Sequence, residues 1–210
     1  MIIPRQFPSK CLRRRHPAAG GFSLIELLVV VAIISLLAVL AMPSLSSALT
    51  ASKLNSASQM VADSIALARQ EAVTKDRDVQ VRFYKITTGP FQGWRALQVI
   101  RVEQTSSGST LVPVTKVTTL PDGMIVSPAA TLSPLLTADS TVQGTVNLPI
   151  YGNTSYSGFY FLPSGSIENV LNSGNNFLTL QSVTATGSPP PNYSAIQINP
   201  VTGKVTTYRP

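Results

Sequence analysis

"RRRHPAAGGFSLIELLVVVAIISLLAVLAMP", Arg13 to Pro43, sets three arginines and two glycines before an apolar run. Between Phe22 and Met42, 21 residues, only Ser23, Glu26 and Ser35 are polar. As a helix rising ~1.5 Å per residue this run reaches about 30 Å, the thickness of a bilayer's hydrocarbon core. The cations before it favour the cytoplasmic side, which predicts a single pass with the rest of the chain outside the inner membrane. Glu26 does not suit a plain anchor, because an acid in lipid costs about 2.5 kcal/mol or more unless an opposite charge meets it. An ordinary secretory signal also fits poorly: its small residues follow a shorter apolar core, whereas Ala18, Ala19, Gly20 and Gly21 come first here.

The same stretch holds most of the chain's charge imbalance. The 210 residues carry a formal +7, yet Arg5, Lys10, Arg13, Arg14 and Arg15 all precede Gly21 with no acid among them. Beyond Gly21, 11 Lys or Arg face 9 Asp or Glu. The basic character therefore says little about partners of the larger part. The single cysteine, Cys11, and the single histidine, His16, also precede Gly21. A chain cut after Gly21 has no disulfide, Cys–His pair, Ser–His–Asp triad or ordinary zinc site. The expectation is no enzyme, no cofactor and no metal.

Outward from the apolar run, Pro43 is expected to kink a helix without ending it. Leu45, Leu49, Leu54, Ala57, Val61, Ile65, Ala68 and Ala72 then recur at helical steps among polar residues, predicting one apolar stripe suited to packing on a globular domain. The pattern fades in "TKDRD", Thr74–Asp78. From Val79 the period becomes two: Val79, Val81 and Phe83 alternate with Gln80, Arg82 and Tyr84, as in a half-buried strand. Further strands are expected at Trp94–Val102, Leu111–Leu120, Gly158–Ser166, Asn176–Val183, Tyr193–Asn199 and Lys204–Tyr208. Turns are expected at Ser106–Ser109, Pro121–Gly123 and the "PVTG" before Lys204. Residues 127–157 read as an irregular insertion with one short strand near Val146, and Ser188–Pro191 as a stiff exposed loop. One long helix followed by about seven strands indicates α+β architecture, the helix laid on an antiparallel sheet.

"GGFSLIELLVVVAIISLLAVLAMP" resembles the class III leader junction of type IV pilins and type II secretion pseudopilins. The resemblance implies cleavage by a prepilin peptidase between Gly21 and Phe22 and N-methylation of Phe22. It also implies that Glu26 neutralises the terminal amine of a neighbouring subunit during filament assembly. The implied division is a leader at 1–21, a membrane and assembly helix at 22–43, its amphipathic continuation at 44–75 and an extracytoplasmic β-rich domain at 76–210. "ALARQEAVTKDRDVQVRFYK" (Ala66–Lys85) is similar to the helix-to-strand segment of FimT/GspH-type minor pilins and pseudopilins. With "FLPSGS" and the closing "YSAIQINPVTGKVTTYRP", the chain looks most like the Verru_Chthon cassette protein D group. The implied partners are the inner membrane, the peptidase and other pilin-like subunits; the implied role is a minor pilin or pseudopilin of a pilus or secretion filament.

A second function class is a membrane-anchored binding module for DNA or a surface ligand. Some FimT-like proteins take up DNA through a basic C-terminal motif; here the tail offers Lys204 and Arg209, with Arg82, Lys85, Arg95 and Arg101 as a further basic face if they share a side. Phe83, Phe91 and Trp94 read as core ahead of a stacking platform. The carboxylates Asp63, Glu71, Asp76, Asp78, Glu103, Asp122, Asp139 and Glu168 form no catalytic or calcium pattern; "KDRD" reads as a solvated turn.

Overall fold

The computed structural model of the chain describes residues 21–106, 108–137, 142–168 and 176–209, without the side chains of residues 40–44. The expected leader up to Gly20, with Cys11 and His16, lies outside the described residues, as does Asp139. The chain divides into two compact units, Met1–Ser44 and Leu45–Pro210, and helix α1 (Leu24–Lys75) supplies residues to both. Helix α1 continues past Pro43, whose missing N–H costs it one backbone hydrogen bond.

In the second unit, α1 buries Leu54, Ala57, Val61, Ile65, Ala68 and Ala72, each 0–1 % exposed. Steps of three and four keep these on one face. Leu45 and Leu49, expected on the same stripe, are instead 64 % and 56 % exposed. Periodicity marks a face of a helix, but burial needs something opposite, and the packed segment begins at Leu54.

The end of α1 has a local cause. Asp76 takes φ 52° and the Arg77 N–H reaches back to the Ala72 carbonyl at 3.3 Å. That is a left-handed residue closing a six-to-one bond, a Schellman-type stop that satisfies a carbonyl the helix would leave open.

Among the described residues ten antiparallel strands follow: β1 (Val79–Ile86), β2 (Gly93–Thr105), β3 (Gly108–Pro113), β4 (Thr118–Thr119), β5 (Met124–Val126), β6 (Val142–Leu148), β7 (Gly152–Phe161), β8 (Phe177–Ser182), β9 (Tyr193–Ile198) and β10 (Val205–Tyr208). The sheet order is β10-β9-β8-β5-β2-β1-β7-β6, with β3 and β4 also paired to β2. One face packs on α1: Val79, Val81, Phe83, Val99, Phe159, Phe161, Leu178, Leu180, Ile196 and Ile198 share one core with the helix stripe.

The insertion expected at 127–157 is more ordered than its composition suggests. It contains a four-residue helix α2 (Pro134–Thr137), all of β6 and the first half of β7. Leu135 and Leu136 of α2 enter the main core, and Ser157 Oγ donates to the Leu136 carbonyl at 2.6 Å. Polar strand residues are tolerated there because, among the described residues, β6 is the last strand in the sheet order.

A second correction concerns Gln80, Arg82 and Tyr84, expected to face solvent. They are 4 %, 7 % and 1 % exposed. The sheet face away from α1 carries its own small cluster of Tyr84, Ile86, Ala96 and Leu148, with Val117, Val146, Tyr151 and Tyr156 against it. Its polar groups are matched: Gln80 Nε2 donates to the Tyr160 hydroxyl at 2.8 Å, Arg82 Nε to Gln80 Oε1 at 2.6 Å and the Tyr84 hydroxyl to Gln98 Oε1 at 2.7 Å. Arg82 also lies 4.2 Å from the Tyr156 ring centroid, so a cation is buried on an aromatic face.

The segments "FLPSGS" and "PVTG" meet on one helix residue. A Cβ at Gly203, whose φ is +64°, would stand 2.2 Å from the Gly165 carbonyl oxygen and 2.7 Å from Arg69 Cδ. Glycine alone admits both the backbone angle and this approach. The β9–β10 turn is thereby seated on the helix and the preceding loop.

Candidate processing and assembly site

Gly21, Phe22 and Ser23 precede α1, and Glu26 lies in its first turn. The Leu27 N–H donates to the Ser23 carbonyl at 3.2 Å, which makes Ser23 the N-cap and Glu26 the third helical residue. "SLIE" thus has capping-box spacing, a signal legible in the sequence. Glu26 gains from the positive end of the helix dipole there. The carboxylate is exposed, and takes part in none of the described ion pairs, which are Arg95–Asp122, Arg101–Glu71 and Arg101–Glu103.

Around Glu26 the helix is apolar on every side. Phe22 (76 %), Leu24 (83 %), Ile34 (59 %), Leu36 (65 %) and Val39 (68 %) are exposed, as are Ile25, Leu27 and Leu28. A helix greasy all round needs lipid or other helices about it. Ser35 satisfies its hydroxyl internally by donating to the Val31 carbonyl at 2.8 Å, so it adds no unpaired polar group. Among the described residues, no helix is long and apolar enough to cross a membrane. The described side chains of the run stop at Val39, whereas the sequence stays apolar to Met42.

The alternative, cationic site does not come together. Arg209 donates to Asn55 Oδ1 of α1 and, at 3.3 Å, to Asn192 Oδ1, so its guanidinium ties the C-terminal segment to the helix. Lys204 is exposed at the start of β10, beside a small concavity lined by Gln197, Asn199, Thr206 and Tyr208. The four strand cations part company. Arg82 is buried on Tyr156. Arg101 bridges Glu71 of α1 and Glu103. Arg95 is the extra residue of a bulge between the Tyr84–Ala96 and Lys85–Trp94 pairs, and its guanidinium is 3.0 Å from Asp122 Oδ1. A bulge re-aims a side chain in this way. Lys85 remains exposed. These positions make no common basic face.

Other sequence candidates resolve as structure. Phe83 is core and Trp94 packs against it, while Phe91 lies beside Arg95, 5.5 Å from ring centroid to guanidinium. Asp76 and Asp78 serve the helix stop and a backbone contact, the Asp78 carbonyl accepting from the Val102 N–H at 2.8 Å. Among the described residues no group of three or more His, Cys, Asp or Glu could hold a metal ion.

Residues 17–42 match the prokaryotic N-terminal methylation motif. That span contains Gly21, Phe22 and Glu26. No curated protein matches the chain. Among solved structures it is similar to the minor pseudopilin EpsH from the Type 2 Secretion System of Vibrio cholerae, with a TM-score of 0.44 and 15% identity. That similarity covers 75% of this chain and 98% of the other.

Proposed function

We propose that this chain is a pilin-like subunit, a minor pilin or pseudopilin, made as a precursor, cut between Gly21 and Phe22, methylated at Phe22 and assembled through its N-terminal helix. The observation that carries the reading is the methylation motif over residues 17–42, joined to an exposed Glu26, in no ion pair among the described residues, in the first turn of a helix apolar on all sides. Cleavage turns Phe22 into a terminus whose methylated amine still carries a positive charge. In a bundle of such helices that amine on one subunit meets the Glu26 carboxylate on the next, which offsets the cost of burying either. The leader would occupy residues 1–21, the membrane and assembly helix 22–43, its continuation 44–75 and the β domain 76–210.

The reading places the subunit in the inner membrane as a single pass, leader cytoplasmic and β domain outside, before it enters a pilus or secretion filament. The role is structural and needs no cofactor. The narrower likeness to the cassette protein D group rests on Ala66–Lys85 together with "FLPSGS" and the closing segment, and Arg69 lies beside Gly165 and Gly203 of the latter two. Intact-mass and N-terminal peptide mass spectrometry on protein from its native membrane tests the reading. The expected mature chain begins at N-methylated Phe22. A chain still starting at Met1, in cells with active prepilin peptidase, would overturn it and leave a plain signal anchor.

A further inference from the structure

Three loops meet at one end of the sheet: residues 87–92 between β1 and β2, 120–123 between β4 and β5, and 149–151 between β6 and β7. They enclose a concavity of about 420 Å³, whose lining includes Thr88, Phe91, Arg95, Thr119, Asp122 and Tyr151. An apolar hollow of about 260 Å³, reaching Val117 and Leu148, shares Thr119, Ile150 and Tyr151 with it. Loops held by a rigid sheet are where binding residues concentrate. The larger volume falls in the range of small-molecule pockets, about 300–1,000 Å³.

Its charged groups come as a pair. Arg95 Nη2 lies 3.0 Å from Asp122 Oδ1, so the concavity carries no net charge from them. The pair still has hydrogen-bonding capacity. Asp122 is 73 % exposed and acts only as an acceptor. Arg95 has five N–H donors, of which the Phe91 carbonyl at 3.0 Å, the Leu120 carbonyl at 3.5 Å and Asp122 take three. These bonds fix the guanidinium, whose side chain is only 11 % exposed. A donor and an acceptor thus stand side by side at set positions, with the hydroxyls of Thr88 and Thr119 in the same lining. Half-buried Phe91 and Tyr151 and the exposed Ile150 supply its apolar wall.

We propose that this concavity binds a neutral saccharide. A sugar hydroxyl both donates and accepts, so adjacent hydroxyls give to Asp122 and take from Arg95 at once. The C–H faces of the sugar ring suit the aromatic and aliphatic wall. Charge excludes other polar ligands. An anion would be desolvated against the open carboxylate of Asp122, and a cation against the guanidinium. The adjoining hollow gives room for a second sugar ring. Residues of the second unit alone form the site, so the inference does not depend on the helix-mediated assembly proposed above.

Saturation-transfer NMR on the full chain, held in a detergent without a sugar headgroup, tests it. The probes are cellobiose and maltose at millimolar concentration, with glucuronate and glucosamine as charged counterparts. Transfer to the ring protons of at least one disaccharide is expected, exceeding that to either charged sugar. Phe91→Ala should reduce it several-fold by removing the wall. Asp122→Ala should do the same at an exposed position where the thermal melt stays close to that of the unaltered chain. No transfer to either disaccharide would overturn the proposal. So would transfer indifferent to both substitutions, the mark of non-specific contact with the micelle or surface. A preference for glucuronate or glucosamine would also overturn it, since the site would then select a charge.

Discussion

The guanidinium of Arg209 donates to Asn55 Oδ1, so the last described residue of the chain is held by the helix that begins the second unit. The contact pairs positions 154 residues apart. It uses one of the two tail cations for closure and leaves Lys204 alone at the surface. The tail therefore behaves as a latch on α1, with Asn192 as a second catch.

Arg209→Ala is accordingly expected to lower stability by about 1 kcal/mol or less, the scale of an exposed hydrogen bond. Lys204→Ala should be neutral. Binding of the full chain to duplex DNA, followed by fluorescence anisotropy across a salt series, is expected to stay in the non-specific range of roughly 10⁻⁴–10⁻⁶ M and to change little in either variant. Tight binding lost with both cations would restore the nucleic-acid reading.

Glu26→Ala and Glu26→Gln are expected to block entry into the filament while leaving the β domain unaltered. The carboxylate belongs to the first unit, and its proposed partner is another subunit's terminal amine. Co-purification with the assembled machine reads the first effect and a thermal melt the second. Wild-type levels of incorporation for Glu26→Ala would sink the ion-pair account.

Two residues of the same periodic stripe should differ sharply. Ile65→Ala, at a fully buried site between α1 and the sheet, is expected to cost about 2–5 kcal/mol. Leu49→Ala, at a side chain 56 % exposed, should stay within roughly 0.5 kcal/mol in detergent. Urea titration distinguishes them, and equal losses would mean that α1 packs further toward its start than Leu54.

Alkaline pH should find the second face of the sheet. Burial pushes the Tyr84 hydroxyl above its ordinary range, partly offset by Arg82, and burial likewise raises Tyr160. A raised folded value means that the folded state holds the proton more tightly than the unfolded one. The resulting stability is complete below about pH 10, the ordinary tyrosine value, and is lost as pH climbs through the folded values. Melting temperatures from pH 7 to 11 should fall most steeply above 10. Tyr84→Phe should start about 1 kcal/mol lower, having lost the bond to Gln98, but show a flatter alkaline limb. An unchanged limb would rule out Tyr84 as the titrating group.

Much was legible without the fold. The apolar run and its single acid, the stripe from Leu54 to Ala72, the period-two strand from Val79 and the turn at "PVTG" are local patterns, each written in consecutive or helically spaced residues. The "SLIE" capping spacing was equally local. Strands near Val146 and from Gly158 were expected, but their extent, above all Gly152–Ser157 of β7, was missed because Thr, Ser, Gly and Asn read as loop when only composition is weighed, while a hairpin can carry them.

What the sequence determined by itself is the apolar run with its leading cations and single acid, and the order of helix before strands, since these follow from hydropathy, spacing and charge along the chain. Only the tertiary structure decided where Arg82, Arg95, Arg101 and Arg209 go, that Gln80 and Tyr84 are buried, and that Leu49 is not. Each of those depends on what a distant segment places opposite the side chain. Tyr156 comes to Arg82, Asp122 to Arg95, Glu71 to Arg101 and Asn55 to Arg209. Such partnerships arise from strand register and helix packing, for which neighbouring residues carry no signal.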